Sequence, residues 1–245
     1  MYNFFLLLLL FWLISFKPYA QNSFEITYKI FPKDILKNKE NISQQTKKLV
    51  EGGVKYAKRE EYKLKTNDTL SYFYKVDKLN FKEDPLKDIY EGIAKNFSNF
   101  NEYVFFNLKD NYLVFNKRVI NSNYTIKQKP LNFNWKILDE FKEILGFNAQ
   151  KAEGEYKDIL VGKTFKIQAW FIKDIPISTG PDLYTGLPGL IIELNLPRSI
   201  LKITNINETN KIDFDLKLNE NEIINENEFK KIVESLNEKI NEIKN

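Results

Sequence analysis

Twelve consecutive residues, Gly180-Pro181-Asp182-Leu183-Tyr184-Thr185-Gly186-Leu187-Pro188-Gly189-Leu190-Ile191, hold three of the chain's nine glycines and two of its eight prolines. Residues of this kind dictate backbone shape and supply little chemistry. Pro176, Pro181 and Pro188 each hold φ near −65° and push the preceding residue towards extended geometry. Leu187-Pro188-Gly189-Leu190 has the pattern of a type II turn, with Gly189 where φ must be positive, and Gly180-Pro181-Asp182-Leu183 suits a type I turn. Each compatible proline removes about 0.4–1 kcal/mol of unfolded-state freedom. A stiff loop of this kind has two uses. It can cross a sheet edge and start a strand that sends Leu190, Ile192 and Leu194 into the core. It can instead present Leu183, Tyr184 and Leu187, with neighbouring Trp170 and Phe171, to a ligand or partner. On the second reading the candidate binding residues are Trp170, Pro176, Gly180, Pro181, Tyr184, Gly186, Leu187, Pro188 and Gly189. The loop has neither Gly-Lys-Ser/Thr nor Gly-x-Gly-x-x-Gly spacing, so it is not a phosphate cradle.

On either side of this loop, period-two patterning dominates. Phe24, Ile26, Tyr28 and Ile30 alternate with Glu25, Thr27 and Lys29, which predicts a half-buried strand. Strands are also predicted over 62–76 (a hairpin turning at Thr66-Asn67-Asp68-Thr69), 103–108, 112–119, 124–128, 149–156, 164–172, 190–196, 200–206 and 211–218. Lys109-Asp110-Asn111 reads as a hairpin turn, and the last three strands read as an antiparallel meander. Residues 34–58 read as a helical or irregular insertion. Asp84-Pro85 opens a short helix to about Asn96, and Lys136–Leu145 reads as another that ends at Gly146.

Phe229, Ile232, Val233, Leu236, Ile240 and Ile243 mark one face of a closing helix, with Asn225 and Glu228 spaced as a capping box. That face can dock on the sheet or bind a partner. The fold class that follows is α+β: a largely antiparallel curved β-sheet with a C-terminal amphipathic helix and one or two short helices.

Phe4 to Phe16 is an apolar run broken only by Ser15, and Ala20 is a small residue suited to cleavage. Residues 1–20 therefore read as a secretory signal peptide, and 21–245 as one α+β domain. A run of thirteen residues falls short of the ~20 that span a bilayer as a helix, so no transmembrane anchor is expected. The implied location is the periplasm, the cell surface or the medium.

The chain has no cysteine and no histidine. Disulfides, Ser-His and Cys-His nucleophiles, and metal sites built on imidazole or thiolate are thereby excluded. No spacing resembles an EF-hand loop, so no metal and no cofactor is expected. Lys plus Arg total 37 against 33 Asp plus Glu, with the charges dispersed, which gives no reason to expect a nucleic acid partner.

Gly186-Leu187-Pro188-Gly189-Leu190-Ile191 is the hexapeptide that names the GLPGLI family of exported Bacteroidetes proteins. Trp135, Ile144-Leu145-Gly146-Phe147, Gln150-Lys151-Ala152, Ala169-Trp170-Phe171 and Asp174-Ile175-Pro176-Ile177-Ser178 precede it in family order. The block of about 135–193 thus resembles the family core. Members often carry a Cys where this chain has Ala149, so no role of that thiol transfers. The resemblance implies an exported protein of unknown function, encoded near TonB-dependent outer-membrane transporters, and carries no reaction or ligand.

Three functions follow as expectations. The first is a non-catalytic envelope protein that binds another envelope protein or a peptide. The second is a carrier of lipophilic cargo, which requires an apolar cavity between the sheet and the C-terminal helix. The third is a hydrolase using Asp174, Asp182 or Glu193. If the leader is removed as expected, N-terminal sequencing of the exported protein begins at Gln21; an intact Met1 terminus would contradict the cleavage.

Overall fold

In a computed structural model, the structure describes residues 23–37, 42–77, 84–120, 122–158, 162–214 and 222–244. The expected leader, 1–20, lies outside them. Twelve strands form one sheet: β1 Ser23–Pro32, β2 Glu61–Thr66, β3 Leu70–Lys75, β4 Tyr103–Asn107, β5 Tyr112–Val119, β6 Ser122–Gln128, β7 Lys136–Ile144, β8 Phe147–Asp158, β9 Lys163–Ile172, β10 Leu190–Asn195, β11 Ser199–Thr209 and β12 Ile223–Asn225. Their order is β12-β6-β5-β4-β3-β2-β1-β11-β10-β9-β8-β7. Every pair is antiparallel except β12 with β6. Among the described residues three helices accompany the sheet: α1 Gln44–Ala57, α2 Lys87–Ala94 and α3 Glu226–Lys244.

Most elements form where the local pattern puts them. On β1, Ile26, Tyr28 and Ile30 are buried and their neighbours less so. The β2–β3 hairpin turns where Asn67 Oδ1 accepts from the backbone N–H groups of Thr69 and Leu70, at 2.9 and 2.8 Å, an Asn-driven turn. Asn111, at φ +55°, closes the β4–β5 hairpin. Ser43 caps α1 through Thr46 N–H at 3.1 Å, and α1 runs through Gly52-Gly53 to set Tyr56 against Tyr90 of α2, ring centroids 5.4 Å apart. At α3, Glu228 Oε2 accepts from Asn225 N–H and Asn225 Oδ1 accepts from Glu228 N–H, at 2.8 and 3.0 Å. That reciprocal pair is a capping box. Phe229 and Val233 on this helix are buried.

Two of the expected elements fail, one through a neighbouring hairpin and one through long-range pairing. Lys136–Leu145 is no helix: its first nine residues are β7, joined to β8 by Leu145-Gly146 at φ +50° and +83°. Positive φ at both central residues is the twist a two-residue hairpin needs, and Gly146 signals that turn as readily as a helix end. The meander also stops at two strands. Lys211–Phe214 is not a strand, because β1 pairs with β11 from Ser23↔Thr209 to Pro32↔Ser199 and takes the edge a third strand would need. The rest of that expected strand, 215–218, lies outside the described residues. Among the described residues no helix is long and apolar enough to cross a membrane.

The segment between β9 and β10 is packed as part of the interior. Ile175, Ile177, Gly180, Pro181, Leu187 and Gly189 are buried. Thr179 Oγ1 reaches Ser71 Oγ of β3 at 2.9 Å, and Ile191 N–H donates to Thr179 O at 2.9 Å. Tyr28 Oη of β1 donates to Ile191 O at 2.6 Å, and burial pushes that phenol well above its ordinary pKa. A Cβ added to Gly189 would stand 2.1 Å from Ile172 O. Gly189→Val should therefore destabilise the fold by about 3 kcal/mol or more; thermal unfolding is the check, and an unchanged midpoint would contradict this packing.

Candidate functional site

Sheet curvature creates the site. Phe115 of β5 and Ile167 of β9 line one cavity of about 600 Å³, yet they lie on the third and tenth strands of the order. Laid flat, seven strand spacings would separate them by ~34 Å. The sheet must curl for both to meet one cavity. The β9–β10 segment enters the space so formed and stops short of filling it.

The cavity wall is aromatic. Phe133, in the β6–β7 connection, stacks on Tyr184 with centroids 5.1 Å apart and meets Tyr156 at 6.0 Å. Tyr156 and Tyr184 meet edge to face at 6.3 Å. Phe97 and Phe100 enter from the α2–β4 connection, and Phe229 from the first turns of α3. Such rings bury large apolar areas and offer flat faces to a ligand. The C-terminal helix borders the cavity, as the carrier hypothesis requires.

One carboxylate sits in this wall. Asp182 is 9 % exposed, and its Oδ1 accepts from Asn101 Nδ2 at 2.6 Å and from Asn101 N–H at 3.2 Å. Burial raises its pKa above the ordinary value of 3.8, while Lys117 and the Asn101 donors act in the opposite direction. Asp182 adopts φ +54°, a left-handed conformation that Asp tolerates better than most residues. Asn101 Oδ1 is itself buried without a hydrogen-bond partner.

The turns in the loop differ from those expected. Gly189 N–H donates to Leu187 O at 2.8 Å and Leu190 N–H to Ile175 O at 3.1 Å. The first is a γ-turn over Pro188, and Leu190 N–H bonds across the segment, so no type II turn forms over 187–190. Tyr184 N–H donates to Pro181 O at 3.2 Å; the closed turn thus begins one residue later than the expected Gly180–Leu183 turn, and positive φ at Asp182 removes the type I geometry.

The candidate residues divide by environment. Tyr184 and its neighbour Leu183 line the cavity. Gly180, Pro181, Leu187 and Gly189 are packed inside, whereas Pro176, Gly186 and Pro188 are exposed. Gly186 lies beside Trp135, whose Nε1 donates to Thr185 O at 2.8 Å. Trp170 is half-buried and neighbours Ala169 and Phe171 on β9, which are fully buried. Lys142 Nζ stands 4.1 Å from its ring centroid and 2.6 Å from Glu193 Oε1. Glu193 has Lys202 as a second cation at 3.6 Å. Of the three candidate acids, Asp174 is exposed, Glu193 is held between lysines and Asp182 borders the cavity. Sequence reading missed Asn101, Phe115, Lys117 and Phe133 as site residues; Asn101 meets Asp182 across 81 positions, a pairing no local pattern encodes.

A family profile described as "Protein of unknown function (Porph_ging)" matches residues 139–193. No curated protein matches the chain. The solved structure of PNGF-II is similar in fold: its C2 crystal form aligns with a TM-score of 0.51 at 16% identity, covering 86% of this chain and 32% of that one. The P21 form aligns with the same score and identity over 87% and 33%. The chain thus spans about a third of the length of PNGF-II, and at this identity the likeness is one of fold alone.

Asp182→Ala should cost about 1–3 kcal/mol, because it leaves the Asn101 donors unpaired. A carboxyl whose pKa rises on folding binds its proton more tightly when folded, so stability is lost as pH climbs from the ordinary value through the raised one. The melting temperature of wild type minus that of Asp182→Asn should therefore fall as pH climbs above the ordinary carboxylate range and level off once the raised pKa is passed; a difference that rises with pH would refute the assignment.

Proposed function

We propose that the protein binds, without transforming it, a small and largely apolar ligand in the aromatic-lined cavity. The supporting observation is the cavity itself: about 600 Å³, within the ~300–1,000 Å³ typical of small-molecule sites, walled by Phe133, Tyr156, Tyr184 and Phe229, with charged and amide side chains bordering the rings. This reading joins the two binding hypotheses. The Gly/Pro segment is the packed support of the site, and Tyr184 with Leu183 is the part of it that a ligand would touch. An exported setting accords with the apolar run over 4–16 and with the resemblance of 135–193 to GLPGLI proteins. In that setting the protein would hold or ferry an envelope amphiphile.

The neutral, environment-sensitive dye N-phenyl-1-naphthylamine tests this. Its emission should rise and shift to the blue on mixing with the purified protein. Leu183→Trp, which adds bulk at a half-buried wall position, should weaken binding at least ~10-fold while leaving the circular dichroism spectrum unchanged. Failure of the wild type to bind the dye or any short-chain amphiphile would refute the reading.

A further inference from the structure

We propose that the natural ligand is an amphiphile with an anionic head, its apolar part lying among the rings and its head held at the cavity mouth by Lys95 and Arg198. The inference rests on the cavity reading and adds the head-group class. Three cations line the cavity, Lys95, Lys117 and Arg198, against two carboxylates, Asp182 and Glu226. They do not play equal parts. Asp182 accepts from Asn101 and lies within the electrostatic reach of Lys117, with no ion pair between them among the described residues. Glu226 lies in the first turn of α3, where the positive end of the helix favours its charge.

Lys95 and Arg198 remain. Among the described residues neither lies within ion-pairing distance of a carboxylate. They come from separate elements: Lys95 follows the last turn of α2, and Arg198 stands in the β10–β11 turn. Those elements are joined by Arg198 Nη1 donating to Asn96 Oδ1 at 2.8 Å and by Ser199 Oγ donating to Phe97 O at 2.7 Å. The first bond occupies one guanidinium donor, and Arg198 offers four more. Lys95 alone would be an ordinary helix C-terminal cation. Two cations that have no carboxylate within ion-pairing distance among the described residues, on elements joined at the cavity's border, form a complement for a carboxylate or phosphate.

The experiment is competition against the naphthylamine dye with three amphiphiles that share a ten-carbon chain, each below its micellar or solubility limit: decanoate, decanol and decyltrimethylammonium. On the wild-type protein, decanoate should displace the dye at roughly a tenth of the concentration decanol needs, with the ammonium compound weakest. In the double variant Lys95→Gln/Arg198→Gln, the ratio of decanol to decanoate half-displacement should fall to about one. Added salt should shrink the same ratio in the wild type. Equal displacement by decanoate and decanol, or an undiminished ratio in the double variant, overturns the anionic head and leaves the cavity reading standing. If no dye binds, both fail together.

Discussion

The fold depends on one packing event: the segment between β9 and β10 is inserted into the curl of a single wide sheet. Its contacts run to strands distant in the sheet order. Thr179 reaches Ser71 on β3, Asp182 reaches Asn101 at the entrance to β4, and Ile191 receives the Tyr28 hydroxyl from β1. Backbone polar groups in a buried loop must find partners. This segment meets that demand with tight turns at Pro176 and Pro188, with bonds to the start of β10, and with side chains from elsewhere in the sheet. Prolines and glycines suit it because they reduce the number of N–H groups to satisfy and let chains approach closely. The same composition that reads as an exposed recognition loop serves equally to fill an interior.

Much of the fold was legible because it is local. Alternation on β1, the Asn67 and Asn111 turns, and the Asn225–Glu228 cap each depend on residues a few positions apart. The failures depend on which strand a segment pairs with, near or far. Ile137, Leu138, Phe141 and Ile144 have helical spacing, yet Phe147–Asp158 is available next door as a strand and the sheet has an open edge there. Lys211–Phe214 alternates well, but β1 has already claimed the side of β11 it needed. The site was legible only in part for the same reason. Tyr184 and Asp182 belong to the conspicuous segment, whereas Phe115, Phe133 and Asn101 join them only once the sheet has curled.

The cavity is a geometric remainder. A curled sheet of this width encloses more space than one inserted segment can occupy, and helix α3 closes part of the opening with Phe229. Aromatic rings around such a space would ordinarily collapse to fill it. Here Phe133, Tyr156 and Tyr184 pack on one another, and the Asp182–Asn101 bonds fix the loop that carries Tyr184. Burial pushes the Asp182 carboxyl above its ordinary pKa, and the bonds from Asn101 hold it in place.

The match to Porph_ging proteins over 139–193 takes on physical meaning against this geometry. That span is β7 from its fourth residue, β8, β9, the inserted segment and most of β10, four strands adjacent in the sheet order. One side of the span is pinned by Glu193 between Lys142 and Lys202, with Lys142 over Trp170; the other is pinned by the inserted segment. It supplies only part of the cavity, through Tyr156, Phe165, Ile167 and Asp182–Tyr184. Phe97, Asn101, Phe115, Lys117, Arg198 and Phe229 all lie outside it. A chain that shares only this span shares the support and one wall, while the opposite wall and both mouth cations are set elsewhere. On the proposed binding reading, the Gly/Pro segment supports the cavity, while residues outside this span form the opposite wall and its charged border.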